Sequence, residues 1–262
     1  MILNYKVTLI TLAIVLSSFG QLFAQMQDST SLSNLSTPET LNPKTYKLNY
    51  KNLIAPAVFI GYGIVSLNND ALKELNTSTR YEIYEHQPNH LHLDNYTQYA
   101  PAVMVYGLNA VGIEGKHNFR DRTIIYATSQ LINAAFVIPL KHIIHEERPD
   151  ASNNLSFPSG HTSTAFSSAQ FMFREYKDSN FWLSISGYSL AVFTGVYRTI
   201  NNRHWVSDVV AGAGFGILST ELAYWSYPTI NRMLNGNKTK SASILLPYYQ
   251  NKTVGLNFVK NF

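Results

Sequence analysis

The chain has 262 residues, enough for one sizeable hydrophobic core, and nothing in it asks for a second domain of comparable size. Hydrophobic residues make up 45% and charged residues only 14%, a balance typical of large buried or lipid-facing helical surfaces. The formal charge of +4 comes without a Lys/Arg cluster, which argues against nucleic acid as a partner. The absence of cysteine excludes disulfides, thiol nucleophiles and thiolate metal sites.

Residues 1–24 have the pattern of a signal peptide. Lys6 precedes the apolar run 7–16, and the small residue Ala24 stands directly before the expected cleavage point. Leu22, three residues before that point, is less favourable than alanine, which leaves an uncleaved anchor as the alternative. We therefore expect an exported protein that is periplasmic or membrane-associated.

Three segments follow the signal peptide. Residues 25–50 are rich in Ser, Thr, Asn and Pro and are predicted to form a solvated linker. Residues 51–232 are predicted to form a single helical domain, and residues 233–262 a tail. In the tail, apolar and polar residues alternate on both sides of a polar turn, which predicts a short C-terminal β-hairpin.

Six apolar segments recur between polar loops, and we predict an all-α fold built as a six-helix bundle. They lie at about 53–67, 99–113, 122–140, 161–174, 181–199 and 207–225. Most are shorter than the roughly 20 apolar residues that span a bilayer, so a buried bundle explains them as well as a membrane does.

The polar segment 68–98 separates the first two of these helices. Its stretch Leu72 to Tyr84 is partly amphipathic and is a candidate surface helix. The series His86, His90, His92 and Asp94 has the side-chain types of a metal site. Because this series shows no clear helix or strand pattern, we interpret it as an exposed loop.

Three short motifs carry the chemistry: Lys141-x6-Arg148-Pro149, Pro158-Ser159-Gly160-His161, and Arg198-x5-His204-x3-Asp208. Their cations suit a tetrahedral oxyanion, and a Ser-Gly turn before a helix offers backbone N–H groups. Each motif alone is more often structural, as a helix stop, a helix cap or a surface ion pair. Their joint order and spacing favour a site that binds and attacks phosphate.

The same residues resemble the three signatures of the type 2 phosphatidic acid phosphatase and vanadium haloperoxidase superfamily. The resemblance covers residues 141–208, including Phe157-Pro158-Ser159-Gly160-His161-Thr162 and Arg198-x5-His204-Trp205-x2-Asp208. Tyr197 stands where a serine is frequent in the family. The resemblance implies the six-helix fold and a phosphohistidine mechanism, and it says little about the substrate.

Residue types and spacing suggest a role for each side chain. His204 and Asp208 are four apart, so on one helix face the carboxylate would orient the imidazole as a nucleophile. His161 would protonate the leaving oxygen and later activate water. The predicted phosphate-binding residues are Lys141, Arg148, Ser159, Gly160 and Arg198. We expect no metal and no other cofactor, because these cations supply the charge.

The position of the motifs bears on the compartment. All three fall at one end of the predicted bundle, while many of the loop cations fall at the other. If the helices spanned a membrane after export, those cations would lie outside, against the usual positive-inside pattern. We therefore favour a bundle outside the membrane, either soluble or resting on its surface.

The favoured function is a phosphatase acting on phosphate monoesters of a lipid or lipid-like substrate. Small phosphate esters and undecaprenyl pyrophosphate are nearby variants that would use the same residues. One alternative is a vanadium-dependent haloperoxidase, in which His204 would be the metal ligand. Another is a non-enzymatic envelope protein that binds phosphate groups. The expected partners are a phosphorylated lipid or small phosphate ester and a membrane surface.

Overall fold

The structure is a computed structural model that describes residues 48–86 and 92–235, together with the backbone of residues 243–250 and 253–260. The predicted signal peptide, 1–24, lies outside the described residues. So does the predicted linker, except for its last three residues, which are exposed.

The described residues form eight α-helices and two strands. The helices are α1 Lys51–Ser66, α2 Asp70–His86, α3 Asp94–Thr97, α4 Ala100–Ala110, α5 Phe119–Ile144, α6 Gly160–Tyr176, α7 Phe181–Ile200 and α8 Val206–Asn235. The strands are β1 Ser243–Gln250 and β2 Thr253–Lys260. They pair antiparallel, with Ser243 opposite Lys260 and Gln250 opposite Thr253.

The predicted count of six helices is too low. Each of the six apolar segments coincides with a helix, but the polar segment between the first two contains α2 and α3 as well. Helix α2 confirms the candidate surface helix over Leu72 to Tyr84; it is mostly polar and buries little more than Asn76, whose amide donates to Ser207 Oγ at 2.8 Å. Helix α3 has only 4 residues. Neither helix carries a full apolar stripe, which is the signal that revealed the other six.

Helix α8 lies at the centre of the bundle. It packs against α1, α5 and α6, and α6 also packs against α7. Glycines on α8 allow the α6 backbone to approach closely: a Cβ at Gly216 would lie 2.2 Å from the Ser163 carbonyl oxygen, and one at Gly212 2.6 Å from that of Ser159. The start of α6 is thereby fixed against the start of α8.

Buried carboxylates on both helices join α6 to α8 away from the motif end. Glu221 accepts hydrogen bonds from Arg174 Nη1 at 2.9 Å and from Gln170 Nε2 at 2.6 Å. Glu175 accepts one from the Tyr224 hydroxyl at 2.7 Å. Because each buried carboxylate has several donors, α6 is held in one register along α8.

Two helices, α5 and α8, are long and apolar enough to cross a membrane by length and composition. In α8, 72% of the apolar window is buried in the bundle, so core packing accounts for it. In α5 only 22% of the corresponding window is buried. The apolar character of α5 therefore faces outward rather than into the core.

An uncharged surface, here called the apolar belt, lies along the exposed faces of α5 and α7. On α5 it consists of Thr123, Ala127, Leu131, Ala135, Ile138 and Pro139, and on α7 of Phe181, Trp182, Ser189, Val192, Phe193 and Val196. The α5 part is flanked by exposed Arg120 and His142. From Thr123 to Pro139 it covers 17 residues, a rise of about 24 Å at 1.5 Å per residue, which approaches the thickness of a hydrocarbon core.

Candidate active site

The three motifs meet at one end of the bundle. Lys141 lies in the last turn of α5, Ser159 to His161 lie at the start of α6, and Arg198 lies near the end of α7. His204 lies in the loop before α8, and Asp208 lies in the first turn of that helix. Helix α5 ends at Ile144. The next residue, His145, has a left-handed backbone, with φ of 54°, that turns the chain toward Arg148.

His204 and Asp208 lie side by side but not on one helix face, which corrects the sequence prediction. His204 precedes α8, and its Nδ1 is 3.6 Å from Asp208 Oδ2. Ser156 lies beside both: its hydroxyl donates to Asp208 Oδ2 at 2.5 Å and is 3.5 Å from His204 Nδ1. The Trp205 N–H also donates to Asp208 Oδ2, at 2.9 Å. The carboxylate is thus fixed beside the ring.

The electrostatic setting of His204 keeps its ring neutral. His204 is 1% exposed. Burial first, and then the charges of Lys141, Arg198 and Arg148, hold the pKa of His204 well below its ordinary value of 6.5. A neutral imidazole keeps a lone pair on one ring nitrogen. With Nδ1 turned to Asp208, that nitrogen is Nε2, which has the character of a nucleophile.

The three predicted cations come close together around His204. The Lys141 ammonium donates to the carbonyl oxygens of Leu155 at 2.7 Å and Ser156 at 3.2 Å. Within the described part of the chain, the Nε groups of Arg148 and Arg198 are buried without a hydrogen-bond partner. A buried guanidinium N–H needs an acceptor, so these donors suit an oxyanion such as phosphate.

The start of α6 contributes backbone donors. Its first helical bond runs from Ser163 N to Ser159 O, at 3.0 Å, so the helix does not use the N–H groups of Gly160 and His161. The Ser159 hydroxyl is fully buried and 2.9 Å from Thr162 Oγ1. Its N–H donates to the Asp208 carbonyl oxygen at 3.0 Å. Ser159 thus joins α6 to α8.

Sequence reasoning missed two residues of α3 at this site. Asp94 is fully buried, and its Oδ2 accepts from Arg198 Nη1 at 2.6 Å, so it does not lie in an exposed loop as predicted. Asn95 Oδ1 is 2.8 Å from His161 Nε2. His90 and the side chain of His86 lie outside the described residues, whereas His92 is exposed.

No spacing rule marks Asp94 in the sequence; only the burial of Arg198 in the structure does. Arg198 is 7% exposed, and a buried guanidinium needs a carboxylate or another strong acceptor. Asp94 and Asp208 are acidic residues that could supply this carboxylate. Asp94 lies 104 positions before Arg198, so no short-range spacing links the two. Ser156 carried no signal, because an isolated serine in a loop matches no spacing rule.

The sequence profile of the PAP2 superfamily matches residues 122–232, which contain all three motifs. This match agrees with the superfamily that the resemblance predicted. Over 152 residues, the chain is 36% identical to a lipid A 1-phosphatase of Porphyromonas gingivalis. That match covers 58% of this chain, which spans only 34%, about a third, of the relative.

Two solved structures align with part of this chain. A transmembrane PAP2 type phosphatidylglycerolphosphate phosphatase from Bacillus subtilis shares 20% identity at a TM-score of 0.45, covering 68% of this chain and 98% of that one. LpxE from Aquifex aeolicus shares 17% identity at a TM-score of 0.39, covering 68% and 96%.

Proposed function

We propose that this protein is a phosphatase that hydrolyses a phosphate monoester of a lipid or lipid-like substrate through a phosphohistidine on His204. The observation that carries the proposal is the buried, neutral His204, enclosed by Lys141, Arg148 and Arg198 and oriented by Asp208. Three cations favour a phosphoryl group beside the ring, and the orientation of the ring leaves Nε2 free to attack.

The first step forms a bond between His204 Nε2 and phosphorus and breaks the ester bond to the leaving oxygen. His161 takes part as an imidazolium, which the bound phosphate dianion stabilises, and it donates its proton to that oxygen, so the alcohol leaves neutral. Negative charge on the three other oxygens is stabilised by the three cations and the first N–H groups of α6. The positive charge that develops on the His204 ring is stabilised by Asp208.

The second step releases phosphate. His161, now unprotonated, takes a proton from water while the water oxygen attacks phosphorus. The bond between phosphorus and His204 Nε2 breaks, and the ring returns to its neutral form. Because the cations supply the electrostatic stabilisation, the proposed cycle uses no metal.

The apolar belt supports a membrane setting for this reaction. An uncharged surface along α5 and α7 is costly in water but favourable against acyl chains. This argues against the bundle outside the membrane that the sequence favoured, and we propose instead that the bundle is embedded, with its site near one surface. The name of the Porphyromonas relative, a lipid A 1-phosphatase, also supports a lipid substrate.

We further propose that residues 1–24 act as a signal peptide and that the protein is exported to the cell envelope, where it is membrane-associated. The division into a linker at 25–50, a phosphatase domain at 51–232 and a tail at 233–262 is part of the same proposal, as is a fold with six main helices and a C-terminal hairpin. The mass of the N-terminal peptide of the membrane-bound protein tests whether cleavage occurs after Ala24.

The activity is tested by phosphate release from the purified full chain in detergent, with phosphorylated lipids and small phosphate esters as substrates. The proposal predicts release by the wild type and none above background by His204→Asn. Folded wild-type protein that releases no phosphate, but oxidises halide with vanadate and peroxide, would support the haloperoxidase alternative instead.

A further inference from the structure

A cleft of about 450 Å³ opens beside His161, between the start of α4, the middle of α5 and the start of α6. Its lining residues include Gln98, Tyr99, Gln130, Asn133, Val137 and His161. Of the residues that line the cleft, only Gly160 and His161 were also predicted for the site. The rest have no role in holding phosphate.

Asn133 is the unusual residue of this cleft. It is 5% exposed, and its Oδ1 is buried without a hydrogen-bond partner among the residues that the structure describes. It lies on α5, one turn after Gln130, whose amide already donates to Ser167 Oγ at 3.0 Å. Because a buried amide oxygen without a donor is costly and Asn133 lines the cleft, a ligand that donates to Oδ1 on binding would remove that cost.

The position of the cleft indicates which part of a substrate enters it. Its wall includes His161, the residue to which we assign the proton for the leaving oxygen. A group in the cleft is therefore attached to that oxygen rather than to phosphorus. Val137, which is 5% exposed, and the more exposed Ile138 provide an apolar margin toward the belt.

We propose that this cleft binds the alcohol part of the substrate and that Asn133 Oδ1 accepts a hydrogen bond from it. The chemical class is a phosphate ester whose alcohol carries a hydroxyl or amide N–H near the ester bond, as a sugar does. Any apolar chains would extend past Ile138 into lipid. This inference rests on the proposed phosphatase function and concerns its selectivity.

The test compares two soluble substrates of similar ring size. N-acetylglucosamine 1-phosphate carries hydroxyl and amide donors, whereas cyclohexyl phosphate carries none. We expect the wild type to favour the sugar phosphate in kcat/KM by about tenfold or more, the size of effect seen when a buried polar group is left unpaired by the wrong substrate. Asn133→Leu should remove this preference, mainly by raising KM for the sugar phosphate.

Asn235→Leu, at the exposed far end of α8, is the matched control and should keep the wild-type preference. If Asn133→Leu does not fold, the wild-type comparison of the two substrates still decides. Equal kcat/KM for both substrates in the wild type, or an unchanged preference in folded Asn133→Leu, would overturn the inference. Turnover of no phosphate ester at all would instead count against the proposed function.

Discussion

Asp94 and Arg198 form a buried ion pair, with Arg198 Nη1 2.6 Å from Asp94 Oδ2, that joins the short helix α3 to the end of α7. The Asn201 amide donates to the second carboxylate oxygen of Asp94 at 3.2 Å. Asp94 therefore holds the Arg198 guanidinium through Nη1, while its Nε has no hydrogen-bond partner among the described residues. The pair fixes the direction in which this guanidinium presents its remaining donors.

The first prediction concerns Asp94→Asn, which keeps the shape of the side chain but removes its charge. Arg198 should lose its fixed position, so kcat/KM for phosphate esters should fall at least about tenfold, and inhibition by inorganic phosphate should weaken. Unpairing one member of a buried pair also costs about 3–5 kcal/mol in typical cases, so the thermal midpoint should fall. Steady-state kinetics and thermal unfolding measure both effects.

Asp178→Asn is the control, because its pair with Lys116 is exposed, with the Asp178 side chain 64% accessible. Exposed pairs contribute little, so this variant should keep wild-type kinetics and stability. If Asp94→Asn is folded and binds phosphate as tightly as the wild type, Asp94 does not position Arg198.

The second prediction concerns pH and His204. Burial lowers the pKa of His204 in the folded state below the value of about 6.5 expected in the unfolded chain. Below about pH 6.5, the unfolded chain therefore binds a proton that the folded chain does not, and the free energy of unfolding falls as pH falls. Asn does not titrate, so His204→Asn should lose less stability than the wild type between pH 7 and pH 5.

Thermal midpoints of both proteins, measured at several pH values in one detergent, give the comparison. Neighbouring groups titrate in both proteins, and their contribution cancels in the difference. Parallel curves for the two proteins would show that the His204 pKa is not lowered by folding.

The third prediction uses two glycines. A Cβ at Gly216 of α8 would lie 2.2 Å from the Ser163 carbonyl oxygen, whereas one at Gly107 of α4 meets nothing within 4 Å. Gly216→Ala should therefore force α8 away from α6 and destabilise the protein by about 1–3 kcal/mol or more. Gly107→Ala should be neutral or stabilising by about 0.5–1 kcal/mol, because alanine is the better helix former.

Thermal unfolding of the two variants, beside the wild type, measures this difference. Because α6 and α8 both carry site residues, Gly216→Ala should also lower kcat. Equal stability of the two variants would contradict the close approach of α6 to α8.

The fourth prediction tests the apolar belt. Trp182 on α7 is 74% exposed, and we place it against acyl chains. In vesicles made with brominated lipids, the bromine atoms should strongly quench the tryptophan fluorescence of the wild type. Trp182→Phe should remove a large part of the quenched signal, while Trp205→Phe, which changes a residue at the site, should remove less. Little quenching of the wild type would favour a bundle outside the membrane.

Much of the fold could be predicted from the sequence, because each of the six main helices carries a continuous apolar pattern. Helix α2 could be predicted only as a candidate surface helix outside the bundle count, since its place depends on contacts such as that of Asn76 with Ser207, and the short helix α3 could not be predicted. The outward-facing apolar surface of α5 also escaped prediction, because its apolar pattern alone does not distinguish a core-facing surface from an exposed one.

The candidate site, like the fold, could be predicted only in part. The spacing of Lys141, Arg148 and Arg198 and of the two histidines carried enough information to propose them together. Asp94, Asn95 and Ser156 reach the site only through folding, from segments where neither periodicity nor spacing marks them. The relation of His204 to Asp208 was assigned to a helix face, whereas a loop and the first turn of α8 create it.

The most direct test of the central claim is to trap the phosphoryl group on the enzyme. After brief reaction with a ³²P-labelled phosphate ester and quenching in alkali, wild-type protein should carry label that is stable to base and labile to acid, as a phosphohistidine is. Peptide mapping should place the label on His204, and His204→Asn should carry none. Label on another residue, or normal turnover by His204→Asn, would contradict the mechanism.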